Sequence, residues 1–121
     1  MYTTFNGKLT ISTTDIYNGT YMYNHGTAKK SGNIVTVNYA GDVTKLTANT
    51  LVVIGNVGND KIPPSQIAAP CYFTSYAAGQ VIIDTSGNIS LYVNADVSTR
   101  TGCRFSLAYI VWSYNITQIK S

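Results

Sequence analysis

The residues of this chain that could carry out chemistry are few, and no catalytic motif connects them. His25 is the only histidine, and all five acidic residues are aspartates. A Ser-His-Asp triad would have to use His25, which stands between two turn formers, Asn24 and Gly26. Glycoside hydrolysis needs two carboxylates about 5–10 Å apart, whereas these aspartates lie in turn-like stretches, where this residue type commonly caps the backbone. We therefore expect a protein that is not an enzyme, neither a glycan hydrolase nor an esterase.

Cofactor and metal chemistry finds equally little support in the sequence. Cys71 and Cys103 are the only two cysteines, too few for a disulfide scaffold and, with one histidine, too few for a zinc site. Each falls in an expected strand, as a small buried hydrophobe or as one half of a Cys71–Cys103 bond between neighbouring strands. The chain contains no P-loop, dinucleotide fingerprint or EF-hand loop. We expect neither a cofactor nor a metal.

Residues suited to a binding surface are, in contrast, plentiful. The chain has ten Tyr and one Trp, and only 11% of its residues are charged, against about a quarter in an average soluble domain. Aromatic faces stack on the apolar C–H patches of sugars, while Asn, Thr and Ser side chains bond the sugar hydroxyls. This composition is typical of saccharide binders, extracellular adhesins and capsid-like assemblies.

Five residues are the candidates for carbohydrate binding. Trp112 would be a stacking platform, although a lone Trp on this strand also fits a core position or a subunit interface. His25 and Asp96 would bond sugar hydroxyls. Arg100 and Arg104 would pair with phosphate on a teichoic-acid-like polymer, because a guanidinium binds phosphate through two parallel hydrogen bonds.

Charge and hydropathy exclude two classes of partner. The net charge is +3, and the basic residues are spread singly except for Lys29-Lys30, so the dense basic stripe of a nucleic-acid binder is missing. No apolar run approaches the roughly 20 residues of a membrane span, and we expect no membrane insertion. The first ten residues lack the pattern of a secretory signal, so we expect export by another route, such as lysis, or a domain cut from a longer chain.

The clearest structural element is a hairpin over residues 81–93, VIIDTSGNISLYV. Two β-branched, apolar runs flank a cluster of turn formers that includes Asp84, Gly87 and Asn88, and the last two tolerate positive φ. Alternation of apolar and polar residues also predicts strands over residues 33–39 and 103–112. Asp84 is interpreted as the residue that starts the hairpin turn.

The remaining segments complete an all-β pattern. We predict a hairpin over residues 1–11, a strand over 20–24, a turn over 28–32, a strand over 51–54 buried on both faces, and strands over 68–76 and 113–119. No segment shows a helical apolar period. The sequence therefore predicts one domain over residues 1–121, an antiparallel β-sandwich or jelly-roll-like barrel of about eight to nine short strands with almost no helix.

The order of these segments resembles the C-terminal receptor-binding head domains of bacteriophage tail-fibre and baseplate proteins, particularly of phages that infect Gram-positive bacteria. The resemblance covers roughly residues 20–112. The segments that carry it are GNIVTV at residues 32–37, IG at 54–55, IPP at 62–64 with Pro70, AGQVII at 78–83, GNI at 87–89 and a closing strand to Tyr109.

This resemblance implies a homotrimeric head that attaches the virion to a host cell-wall saccharide or teichoic-acid-like polymer, without chemistry of its own. It also implies contacts with other tail or baseplate proteins and a location on the phage tail, exposed to the medium. The alternative function is a structural or oligomerisation module of the tail that binds protein instead of glycan.

Overall fold

The computed structural model describes residues 11–75 and 77–111, which form an all-β fold, as predicted. One short 3-10 helix, Asn59–Lys61, is the sole helical element in these residues. The eight strands are β1 (Ile11–Ile16), β2 (Gly26–Ser31), β3 (Ile34–Val43), β4 (Val52–Asn56), β5 (Ile67–Phe73), β6 (Gly79–Ile83), β7 (Asn88–Val93) and β8 (Thr101–Ile110).

All neighbouring strands are antiparallel, in the order β1-β2-β3-β8-β5-β6-β7-β4. The sheet consists of two four-stranded halves that meet between β8 and β5. At this seam only two residue pairs are in register, Tyr72 with Arg104 and Phe73 with Cys103. Towards Pro70 the two strands separate, and Pro70 has no N–H group to donate to a ladder. The outer surface therefore opens along the seam.

The two end strands, β1 and β4, nearly close the sheet into a barrel. Asn18 Nδ2, just after β1, donates a hydrogen bond to the Val53 carbonyl at 3.1 Å. Gly55 lies so close to β1 that a Cβ at this position would be 2.8 Å from Ile16 Cγ2. Side chains, and not a strand ladder, thus bring the two ends together, and a glycine permits the approach.

The core lies between the two halves and follows from alternation along the strands. In β3, Val35, Val37 and Tyr39 are buried while the residues between them face outward, as expected for a period of two. Burial of these apolar side chains is the main stabilising contribution.

Lys61 is an exception, a lysine whose side chain is only 1% exposed. Its Nζ donates hydrogen bonds to Ser12 Oγ at 2.9 Å, Thr14 Oγ1 at 2.8 Å and Asp60 Oδ1 at 2.9 Å. The hydrogen bond from Lys61 lowers the pKa of Asp60. On the other side, the Tyr109 hydroxyl donates to the Lys61 carbonyl at 2.5 Å. The 3-10 helix therefore joins β1 to β8 across the open end of the barrel.

The Tyr109 hydroxyl gives this junction a pH dependence that can be measured. Burial, with a smaller effect of Asp60, raises the pKa of Tyr109 to about 12. Because the unfolded value is about 10, the unfolded chain ionises first, and stability present below pH 10 is lost between about pH 10 and 12. We expect Tyr109→Phe to be less stable than wild type at neutral pH by about 1 kcal/mol, through the lost hydrogen bond.

The same variant should lose less stability than wild type when urea unfolding is repeated across the alkaline range. Some alkaline loss will remain, because burial also raises the pKa of Tyr39. An equal alkaline loss in the variant and the wild type would contradict the assignment.

The hairpin over residues 81–93 is confirmed as β6 and β7. Asp84 Oδ1 accepts the N–H groups of Ser86 at 2.8 Å and Asn88 at 3.0 Å, and Gly87 has a φ of 85°. The aspartate thus organises the turn, as the sequence indicated.

Two local predictions are wrong. Residues 20–24 form a turn in which only Met22 pairs, as an isolated bridge to Val43. The turn predicted over residues 28–32 is narrower, since β2 continues to Ser31 and Gly32, with a φ of 65°, begins the connection to β3. Lys29 is compatible with β2 because it lies on the outer face of this strand, which meets solvent.

The prediction that the strand over residues 51–54 is buried on both faces is also wrong. Val52 and Ile54 are buried, but Leu51 is 55% and Val53 48% exposed, because no element formed by residues 11–75 and 77–111 covers the outer face of β4. The predicted hairpin over residues 1–11, apart from Ile11, and the predicted strand over 113–119 lie outside the described residues.

The two cysteines lie on neighbouring strands, β5 and β8, with their sulfurs 3.1 Å apart. This separation is far longer than the roughly 2.05 Å of a disulfide, and both are free, buried thiols. The interaction with Cys71, together with burial, raises the pKa of Cys103. They pack as small hydrophobes, one of the two interpretations open from the sequence.

Candidate functional site

An open groove of about 860 Å³ runs along the seam on the outer surface of the barrel. Its floor contains Tyr39, Cys71 and Phe105, which belong to the buried core. The groove exists because β5 and β8 separate on one side of the Tyr72–Arg104 pair, so that the sheet does not cover the core side chains there. We call it the seam groove.

One wall of the seam groove is a row of short polar side chains. Thr27, Asn38 and Ser106 are successive register partners on β2, β3 and β8, so their side chains stand side by side on the outer face. The Ser106 hydroxyl donates to Asn38 Oδ1 at 2.5 Å. This bond orients the amide and leaves its NH₂ group to donate to a ligand.

The other wall presents an aromatic ring beside a cation. Tyr72 is 61% exposed, because it alternates with the buried Cys71 and Phe73 on β5. Its register partner Arg104 is also exposed, and no carboxylate among residues 11–75 and 77–111 forms a salt bridge with it. The groove therefore combines an open aromatic face with an available guanidinium.

His25 lies at the end of the seam groove and is held from two sides. Its Nδ1 is 2.9 Å from both carboxylate oxygens of Asp15, and its ring stacks on Tyr17 with centroids 4.0 Å apart. Because a carboxylate only accepts hydrogen bonds, Nδ1 donates to Asp15, and Nε2 is the ring nitrogen left for a ligand. Nε2 accepts from a hydroxyl when the ring is neutral and donates to one when the ring is charged.

Arg100 and Asp96 do not line the seam groove. Arg100 Nε donates to Asp42 Oδ2 at 2.6 Å, and its guanidinium lies 4.2 Å from the centre of the Tyr23 ring. Asp96 Oδ1 accepts the N–H of Ala48 at 2.8 Å and so ties two loops together. Both side chains are engaged in contacts that organise loops.

Of the five residues predicted to bind carbohydrate, the structure thus brings two, His25 and Arg104, to the same groove. Trp112 lies outside the described residues. Sequence reasoning missed Tyr72, Asn38 and Ser106. For Tyr72 a signal was present, since alternation with Cys71 and Phe73 predicts an outward ring; for the other two, only the pairing of distant strands reveals their proximity.

The described residues contain neither a metal-binding cluster nor a membrane-spanning helix. Within the two described ranges, no three His, Cys or Asp side chains gather as metal binding would require. No helix in that part of the chain has the length and apolar character needed to cross a bilayer.

No protein-family model matches the chain, and no curated protein matches it.

Proposed function

We propose that this chain is a receptor-binding domain of a bacteriophage tail that attaches to a bacterial cell-surface saccharide through the seam groove, without catalysing a reaction. The observation that carries the binding proposal is Tyr72, an exposed aromatic face set beside a row of uncharged polar side chains above an apolar floor. Assignment to a phage tail rests on the resemblance in the order of the sequence segments.

The groove offers each kind of contact that sugar recognition uses. An aromatic ring stacks on the apolar face of a pyranose, and the ring of Tyr72 is accessible. Asn38 and Ser106 supply amide and hydroxyl groups for sugar hydroxyls, and His25 supplies Nε2. The polar side chains are partly fixed by hydrogen bonds within the protein, which reduces the entropy lost on binding.

Arg104 indicates that the saccharide carries negative charge. A guanidinium binds phosphate or carboxylate with two parallel hydrogen bonds, and Arg104 stands in the groove with no salt-bridge partner in the described ranges. A teichoic-acid-like polymer has the required phosphate groups.

Matched variants test the role of this charge. We expect Arg104→Ala to weaken binding to purified wall teichoic acid by at least about tenfold, since hydrogen bonds to charged groups contribute about 1.5–3 kcal/mol. Arg100→Ala removes the same charge outside the groove and should leave affinity unchanged. Isothermal titration calorimetry at low and high salt measures both.

Wild-type affinity should fall as salt increases, and Arg104→Ala should flatten this dependence. If Arg100→Ala has the larger effect, the ligand does not lie in the seam groove. A wild-type affinity for a neutral polysaccharide that does not change with salt would overturn the assignment of a charged ligand.

A second candidate function, oligomerisation within a virion tail, is favoured by an apolar row on the same outer face. Ile11, Ile34 and Ile110 are 57%, 49% and 62% exposed, and the register Ile11–Ser31–Ile34–Ile110 places them in one line across four strands. Exposed apolar patches mark sites of protein association, and a homotrimer or a contact with another tail protein would cover this row.

Light scattering on the purified chain tests this second candidate. A trimer that dissociates in an Ile34→Ser, Ile110→Ser double variant would support it, and a saccharide-binding monomer in both proteins would overturn it. The melting temperature of the double variant is compared with that of wild-type monomer obtained by dilution of the trimer. Equal values show that the substitutions leave the fold intact.

A further inference from the structure

A second groove, of about 480 Å³, lies on the outer face of the other half of the barrel. Its lining includes Ala68, Gln80, Tyr92 and Asn94, from β5, β6 and the end of β7. Pro70 lines this groove and the seam groove alike. The two grooves are therefore adjacent and meet at Pro70.

The register of the strands aligns both grooves on one row. In the first half the row contains Thr27, Asn38 and Ser106. In the second half it contains Pro70, Gln80 and Tyr92, which are again successive register partners. Tyr72 pairs with Arg104 across the seam. Because β5 and β8 are antiparallel, Pro70, two residues before Tyr72, is level with Ser106, two residues after Arg104.

From these alignments we infer that the two grooves form one binding track, which runs perpendicular to the strands from His25 to Tyr92 and accommodates several consecutive units of a linear saccharide polymer. The inference rests on the proposed function and adds the length and direction of the ligand. Strands lie about 4.8 Å apart, so the five intervals from β2 to β7 follow an arc of about 24 Å around the outside of the barrel, far more than one sugar ring occupies. A polymer bound along the whole track would therefore curve with the surface.

The chemistry of the track fits a saccharide along its whole length. Its middle row consists of short or uncharged side chains, among them Ser106 and Gln80, which donate and accept hydrogen bonds. Tyr72 stands at the centre, and Tyr92 closes the far end, with its hydroxyl 3.4 Å from Asn49 Oδ1. Aromatic rings at two separated positions provide stacking sites for two different sugar units.

Most of the track offers no strand edge to an extended peptide. Peptides that bind to sheets as an added strand require an exposed edge with free N–H and C=O groups. Over most of its length this row lies on the face of the sheet, where β3, β6 and β7 have strand neighbours on both sides. Only the part of the seam beyond the Tyr72–Arg104 pair lacks ladder pairing between β8 and β5, and a strand added there would run along these strands and not across them.

Fragments of graded length test the track. The probe is wall teichoic acid cut by partial hydrolysis and separated into short, intermediate and long fragments of uniform size, with the stoichiometry of binding measured by calorimetry. At one protein per fragment, we expect affinity to rise with length and then reach a plateau. Tyr92→Ala should weaken binding of long fragments about tenfold, as for a well-placed aromatic contact, and leave short fragments unaffected.

The outcomes separate the track from the proposed function. If long and short fragments bind equally, or if Tyr92→Ala leaves long fragments unaffected, the track is overturned while binding of short fragments still supports the seam groove. If no fragment of any length binds, the proposed function fails and the track with it. Gln80→Ala is the second variant, to be used if Tyr92→Ala lowers the melting temperature.

Discussion

If the seam groove binds saccharide as proposed, replacement of Tyr72 by alanine is expected to reduce the affinity for wall teichoic acid about 30-fold. Aromatic side chains at the centre of a binding site commonly contribute about 2 kcal/mol or more when truncated, which corresponds to that factor. Tyr72 is 61% exposed, so its removal leaves no cavity in the core and should not unfold the protein. Calorimetric titration with the same teichoic acid preparation measures the loss.

Two further variants make the result specific. Tyr72→Phe keeps the ring and should retain most of the affinity, because stacking and not the hydroxyl is the proposed contact. Leu51→Ala truncates a side chain of similar exposure, 55%, outside the groove and should have no effect. Unchanged affinity in Tyr72→Ala, with an unchanged melting temperature, would exclude the seam groove as the binding site.

Replacement of Lys61 by methionine is expected to destabilise the fold by about 2–3 kcal/mol. The substitution shortens the side chain by one atom and removes three hydrogen bonds from a charged donor. Each of these bonds is worth about 1.5–3 kcal/mol, and this loss is partly offset because an uncharged methionine costs less to bury than a lysine. Ser12 and Thr14 then lose their partner at the junction between β1 and the 3-10 helix. For a domain of this size the melting temperature should fall by about 10 °C.

Lys29→Met is the matched control, because this lysine lies exposed on β2, and surface substitutions of this kind usually change stability by less than about 0.5 kcal/mol.

Lys61→Met should also alter the dependence of stability on acid pH. Since Lys61 lowers the pKa of Asp60, the contribution of this pair is present above about pH 4 and lost as the pH falls through the lowered pKa. Equal melting temperatures for wild type and Lys61→Met would show that the lysine does not hold the barrel end together.

Local signals in the sequence predict the elements that depend on local chemistry. The turn of the β6–β7 hairpin forms where Asp84 and Gly87 supply a carboxylate and a positive φ, and both are visible in the sequence. The alternation of β3 and β8 likewise follows from the residue pattern. Fold class therefore follows from the sequence with few additional assumptions.

The candidate site depends on pairing between distant segments, which no local pattern encodes. His25 and Arg104 line one groove only because β2, β3 and β8 are neighbours in the sheet. Arg100, close to Arg104 in sequence, is held elsewhere by Asp42, since it lies in the loop before β8 and not on the strand. Residue type alone identified four candidate binding residues in the described ranges, and the strand order brings two of them to the seam groove.

The position of β8 also has a consequence for the order of folding. This strand pairs with β3 along its whole length and with β5 at the seam, yet it is the last described strand along the chain. Its ladder joins Ile34 to Ile110 and Val43 to Thr101, so it closes long loops, and topologies dominated by such contacts fold slowly. During synthesis the meanders β1-β2-β3 and β5-β6-β7 emerge first, and the edges of β3 and β5 that β8 will later join invite association with other chains. The arrival of β8 covers the edge of β3 along its whole length, joins β5 at two residue pairs and, in the same step, creates the seam groove.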